Sequence, residues 1–167
     1  MFCFNLTGGT AQERNDLLVE LVRIFSRDGL RVSAAVAAPN GFDPDKPGKD
    51  SYEHRRAGAK EVALASELRW AIMAGTKNGI EGAPNPLERL ETNDLLLLSG
   101  FEDPDVASLR ILDDPQERPS SNAKALASRQ GGGERRAVAE GQRPHFRLTD
   151  REEIAAFILS LGGFRPT

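Results

Sequence analysis

The sequence predicts an α/β domain with a mainly parallel central sheet, and three observations at its start predict it. Residues 1–6 are a short apolar run ending on Gly8-Gly9, as a buried strand closing in a tight turn would be. Over residues 11–27 the period changes to that of a helix, with Leu18, Leu21, Val22 and Phe25 on one face and Gly29 placed for a left-handed C-terminal cap. Residues 31–38 are then nearly all apolar, which predicts a strand covered on both faces. Strand, helix and strand in so short a span form a parallel βαβ unit.

The remaining elements follow from the same signals. Three prolines and two glycines make residues 39–50 a loop, and residues 52–57 a short helix closed by Gly58. Strands are predicted at 61–65 and 69–73, then a Gly/Pro-rich connection over 74–86 and a helix over 87–91. Four consecutive leucines make residues 94–99 the central strand, and residues 109–112 read as an edge strand. From 115 to 144 the apolar periodicity is poor, which predicts a flexible surface region holding at most one strand. Thr149-Asp150-Arg151-Glu152 looks like a capped start to a last helix carrying Ile154, Phe157, Ile158 and Leu161, stopped by Gly162-Gly163.

Composition bounds what such a domain can do. The 167 residues suffice for a single domain spanning residues 1–167 and are too few for two. A formal net charge of −3 gives no global attraction to nucleic acid or anionic lipid. The single cysteine, Cys3, cannot close an internal disulfide, and it is predicted to be buried and inert. No apolar run of about 18 residues predicts a membrane span. The start Met1-Phe2-Cys3-Phe4 lacks a signal-peptide pattern, so a cytoplasmic location is expected. His54 and His145 have no cysteine or second histidine at ligand spacing, so no metal site is expected. Ser99 lacks a nucleophile-elbow pattern.

A strand, a glycine turn and a helix are also the setting of a phosphate-binding P-loop. Such a loop cradles phosphate with backbone amides, then needs Gly-Lys and a Ser/Thr for magnesium. Here the segment reads Gly8-Gly9-Thr10-Ala11-Gln12-Glu13-Arg14-Asn15. Counted from Gly8, the second glycine is Glu13, the lysine is Arg14 and the hydroxyl residue is Asn15. Thr10 to Glu13 match a capping box instead. A carboxylate at the helix N-terminus would stand where phosphate binds and repel it. Gly8, Gly9, Thr10, Arg14 and Asn15 are thus candidates for a degenerate nucleotide site, with Arg14 the remaining cation.

One further run is distinctive. Asp43, Asp45-Lys46-Pro47-Gly48-Lys49-Asp50-Ser51-Tyr52, Arg55, Ala57-Gly58-Ala59 and Arg69-Trp70-Ala71 closely resemble the molybdopterin-guanine dinucleotide biosynthesis adaptor family, MobB. The resemblance extends more weakly to Asp94 through Phe101, where the family's strand ends in Glu-Gly-Phe and this chain has Ser99-Gly100-Phe101. It implies a P-loop NTPase-like three-layer fold, GTP binding, homodimerisation, and partnership with the guanylyltransferase that makes the guanine dinucleotide cofactor, or with a molybdoenzyme. Because lysine, hydroxyl residue and acid are all replaced, weak or absent GTPase activity is expected.

The retained loop has two readings. Lys46, Gly48, Lys49, Asp50, Ser51 and Arg55 could form a cationic site beside the sheet's switch-point crevice for an anionic ligand such as molybdopterin or its guanine dinucleotide. Alternatively, Asp45, Asp50, Lys46 and Lys49 pair among themselves and fix the loop. Trp70 reads as a core or interface anchor. At the level of function, an accessory binding protein, a GTP-binding protein using Arg14, and a non-catalytic interaction subunit all remain open.

Overall fold

In the computed structural model the chain runs β1 (Phe2–Gly8), α1 (Ala11–Arg27), β2 (Val32–Val36), α2 (Asp50–Arg56), β3 (Glu61–Ala65), β4 (Trp70–Ala74), β5 (Leu95–Ser99), β6 (Ser108–Ile111), β7 (Ala123–Ser128), β8 (His145–Arg147) and α3 (Arg151–Leu161). The described residues are 1–38, 45–59, 61–74, 93–114, 119–129 and 143–164. They fall into two units, Met1–Ala37 with Leu90–Thr167, and Ala38–Arg89. The predicted helix at 87–91, Asp43 and the glycine-rich stretch at 131–133 lie outside the described residues.

The first unit is built on a six-stranded sheet of order β2-β5-β1-β6-β7-β8, parallel at every pairing. Register partners share a face, so Phe4, Leu6, Leu95, Leu97, Leu109 and Ile111 project together. Against them pack Leu17, Leu18, Leu21, Ile24 and Phe25 of α1 and Ile154, Ala155 and Ile158 of α3. Burying each large apolar side chain contributes about 1.5–3 kcal/mol. Asn5, Leu96, Leu98 and Ser108 face the other way and are also buried. There Asn5 donates from Nδ2 to the carbonyl of Phe101 at 2.7 Å.

Local chemistry sets the helix ends. After α1, the Leu30 amide donates to the Phe25 carbonyl and the Gly29 amide to Ser26, with Gly29 at φ +83°. This is a Schellman motif, and its left-handed residue is where glycine is least strained. Before β2 and β5, the Arg31 guanidinium and amide both bind the Asp94 carboxylate, holding its pKa down to about 2. In the second unit, α2 precedes the antiparallel hairpin of β3 and β4, which pairs Leu64 with Ala71 and Val62 with Met73.

Four expectations change in the folded chain. β6 is interior rather than an edge, because β7 and β8 extend the sheet beyond it. β2 lies at the edge of this sheet, and its residues are partly buried or exposed rather than fully covered, Val36 being 60% exposed. β8 was not anticipated; its three residues are too few to show a period. At α3 the N-cap is Asp150 and no side-chain capping bond forms. The Asp150 carboxylate instead accepts from the Arg147 amide, which ties the helix start to β8.

Leu97 pairs with Phe4 and Ala34 at the middle of the sheet. Leu97→Ala is expected to lower unfolding free energy by about 2–5 kcal/mol, read from urea denaturation followed by circular dichroism.

Candidate functional site

The turn after β1 is forced by contact. Gly8 and Gly9 have φ +67° and +54°, a region disfavoured for residues with side chains. A Cβ on Gly8 would lie 2.2 Å from the Ile111 carbonyl oxygen, and one on Gly9 would lie 2.6 Å from Ile111 Cγ2. Close packing against β6 therefore demands both glycines.

The predicted capping box is present. The Glu13 amide donates to Thr10 Oγ1 at 3.2 Å. Glu13 Oε2 accepts from the Thr10 amide at 2.9 Å and from Thr10 Oγ1 at 2.8 Å. A partner that sequence reasoning missed completes the arrangement: Arg129 Nε lies 2.7 Å from Glu13 Oε1, just beyond β7. The Thr10 amide bond is the main cause holding the Glu13 carboxyl below its ordinary value of 4.5, with the Thr10 hydroxyl and Arg129 adding to it. Both carboxylate oxygens are thus engaged at the helix start, where a phosphate would otherwise approach.

Arg14 takes the lysine's place in sequence, and its side chain turns back onto the glycine turn. Its Nη1 donates to the carbonyls of Gly8 at 2.7 Å and Gly9 at 2.9 Å. Its Nε and Nη2 would both lie 3.5 Å from a Cβ added to Gly100, so the guanidinium spans from the turn to the end of β5. Asn15 is exposed on α1. Ser99, at the position of the family's acid, is buried, and its carbonyl accepts from the Ala37 amide. Among the described residues, the carbonyls of Gly8 and Gly9 and both Glu13 carboxylate oxygens find partners within the chain, while the buried Arg14 Nε has none.

The other candidate site lies in the second unit. Pro47 and Gly48, the latter at φ +84°, form a turn in which the Lys49 amide donates to the Lys46 carbonyl. Asp45 is gripped from both sides, accepting from Ser51 Oγ at 2.8 Å and from Arg55 Nε at 3.1 Å. Its side chain is 5% exposed. Arg55 and Ser51 are thereby drawn into fixing the loop. Lys46, Lys49 and Asp50 remain exposed, and neither lysine has an ion-pair partner among the described residues.

The remaining candidates sit apart. Cys3 is half-buried, and burial raises its pKa. His145 Nε2 lies 3.1 Å from Ser128 Oγ, with burial lowering its pKa. His54 is exposed on α2. Among the described residues no group of three or more His, Cys, Asp or Glu could hold a metal ion. Nor is any helix among them long and apolar enough to cross a membrane.

A parallel sheet, a glycine turn after its first strand and a helix rising from that turn define the P-loop NTPase-like class. The family model described as molybdopterin guanine dinucleotide synthesis protein B, MobB, matches residues 4–128. The chain is 34% identical over 117 residues to the molybdopterin-guanine dinucleotide biosynthesis adapter protein of Escherichia coli (strain K12), covering 68% of this chain and 66% of that protein. It is 32% identical over 99 residues to the protein of that name from Haemophilus influenzae, covering 58% and 55%. The crystal structure of Bacillus subtilis MobB shares the fold at TM-score 0.71 and 19% identity, covering 96% of this chain and 97% of that one. The chain belongs to the MobB family. Its matched stretch spans just under two thirds of the E. coli relative and about half of the H. influenzae one.

The capping box sets a pH signature. A carboxyl whose pKa is depressed by folding stabilises the native state above its unfolded value and loses that contribution as pH falls through the folded value. Stability assigned to Glu13 should therefore be complete above about pH 4.5 and fade below it, while Glu13→Gln should flatten that part of the profile. Thr10→Ala should cost about 0.5–2 kcal/mol. Both are read from denaturation midpoints across pH 2 to 7.

Proposed function

We propose that this chain is an accessory adapter in molybdopterin-guanine dinucleotide biosynthesis, acting by binding rather than by turning over GTP. Membership of the MobB family and the role for which its relatives are named support the pathway. The observation that carries the non-catalytic reading is the Glu13 carboxylate bonded at the turn. GTP would need that space, and it would meet a fixed negative charge there. The lysine, hydroxyl and acid that balance phosphate charge and hold magnesium are Arg14, Asn15 and Ser99 here.

Binding then falls to the loop around Gly48. Lys46 and Lys49 are two exposed cations on a proline-stiffened turn, while Asp45, Ser51 and Arg55 hold the turn in shape. They suit an anionic group, either the phosphate of the pterin cofactor or an acidic surface on the guanylyltransferase or a molybdoenzyme. A homodimer fits the hairpin: Leu64, Ile72 and Leu68 are 45%, 43% and 92% exposed, and two-stranded sheets leave open edges that a second copy can pair. We place the protein in the cytoplasm with its pathway.

The competing reading is a GTP-binding protein with Arg14 in the lysine role. It requires Arg14 to leave two carbonyls that it already satisfies. Isothermal titration with Mg-GTP decides between them: no heat at micromolar concentrations is expected, and micromolar binding with measurable turnover would overturn the proposal. In pull-downs of the native protein, Lys46→Ala/Lys49→Ala should lower recovery of pterin or partner about tenfold, with unchanged recovery counting against the loop. Recovery of neither pterin nor a pathway enzyme would favour an interaction subunit instead. Leu64→Lys/Ile72→Lys should shift the sedimentation coefficient from dimer to monomer.

A further inference from the structure

Two polar side chains sit on the sheet face opposite α1 and α3, and each has a hydrogen-bonding atom left over. Asn5 of β1 and Ser108 of β6 are both 0% exposed, and they are register partners on adjacent strands. The amide nitrogen of Asn5 is used by the Phe101 carbonyl. Among the described residues Asn5 Oδ1 and Ser108 Oγ have no hydrogen-bond partner. Leaving two such atoms buried and unsatisfied is costly. Native interiors resolve that cost with a bridging water when the groups converge and there is room.

The strand register brings the two side chains together. In-register neighbours on one face of a sheet stand close enough to share a small bridging group. At Ser108 the β6–β7 ladder is also irregular: Ser108 pairs with Ala123 but Leu109 with Ala125, so Lys124 is skipped. A bulge of this kind breaks the ladder and bends the strand locally. We infer that Asn5 Oδ1 and Ser108 Oγ bind one internal water molecule between β1 and β6. The water donates to Oδ1, which can only accept, and exchanges a second bond with the serine hydroxyl. A small apolar molecule would satisfy neither atom, and an anion would find no cation among these ligands.

The site has a position as well as a ligand. Asn5 holds Phe101, and the neighbouring Gly100 amide donates to Leu6. Gly100 is the residue against which the Arg14 guanidinium packs. The water would thus brace Asn5, which holds Phe101 beside Gly100 and the Arg14 guanidinium.

Two measurements on the full-length chain test this. A crystal structure at a resolution that orders solvent should show density within hydrogen-bond distance of both Asn5 Oδ1 and Ser108 Oγ. In solution, water-oxygen magnetic relaxation dispersion should count one long-lived internal water fewer in Ser108→Val, whose added methyl group fills the space. An empty gap, a direct Ser108–Asn5 hydrogen bond, or an equal count in the variant would overturn the inference. If Ser108→Val does not fold, Ser108→Ala takes its place in the dispersion count: one long-lived water fewer than in the unsubstituted chain supports the site, and an equal count refutes it.

Discussion

The approach of β1 to β6 at Gly8 constrains everything around the first turn. An added Cβ would fall 2.2 Å from the Ile111 carbonyl oxygen, so the backbone must pass there bare and with φ positive. That contact fixes the direction in which the chain leaves the sheet and hence where α1 begins. It also fixes which groups reach the helix N-terminus. In a phosphate-binding loop the same geometry would aim free amides at a ligand. Here it brings the Glu13 carboxylate onto the Thr10 amide and sends Arg14 back to the two glycine carbonyls.

This substitution differs from simple loss of a motif. Removing lysine and hydroxyl alone would leave an unfilled anion site at a positive helix end. Glu13 supplies the negative charge, and Arg129, the residue after β7, pairs with it. Exposed pairs of this kind contribute little to stability by themselves. Their consequence is electrostatic and steric, since the carboxylate occupies the approach and its bonds to Thr10 and Arg129 favour the ionised form. The MobB fold is retained, and within its first turn Glu13 and Arg14 bond to groups of the chain itself.

The second unit carries the opposite pattern. Its most distinctive run is also its most ordered polar network: Asp45, nearly buried, is shared by Ser51 and Arg55. Among the described residues the loop is fixed by Asp45 with Ser51 and Arg55, not by pairing of Asp45 and Asp50 with Lys46 and Lys49. Arg55 is drawn into the structural network, and the two lysines remain outward on the Pro47-Gly48 turn. A rigid turn presenting two cations costs less ordering on binding than a flexible one would.

What the sequence determined alone was local. The bounds of α1, its capping box and its glycine stop depend on residues three or four apart, and those relations are legible in the letters. The buried leucine run of β5 and the lengths of β3 and β4 were likewise readable from period and composition. Pairing across long separations was not. Nothing in residues 108–111 says that two more strands lie beyond them, and His145-Phe146-Arg147 is too short to announce β8. Arg129 carries no sign of Glu13, and the orphan atoms of Asn5 and Ser108 exist only because β1 and β6 lie side by side. Tertiary structure decided these, because hydrogen bonds and ion pairs between distant segments depend on where the sheet places them, and the order of strands in a parallel sheet is not the order of the chain.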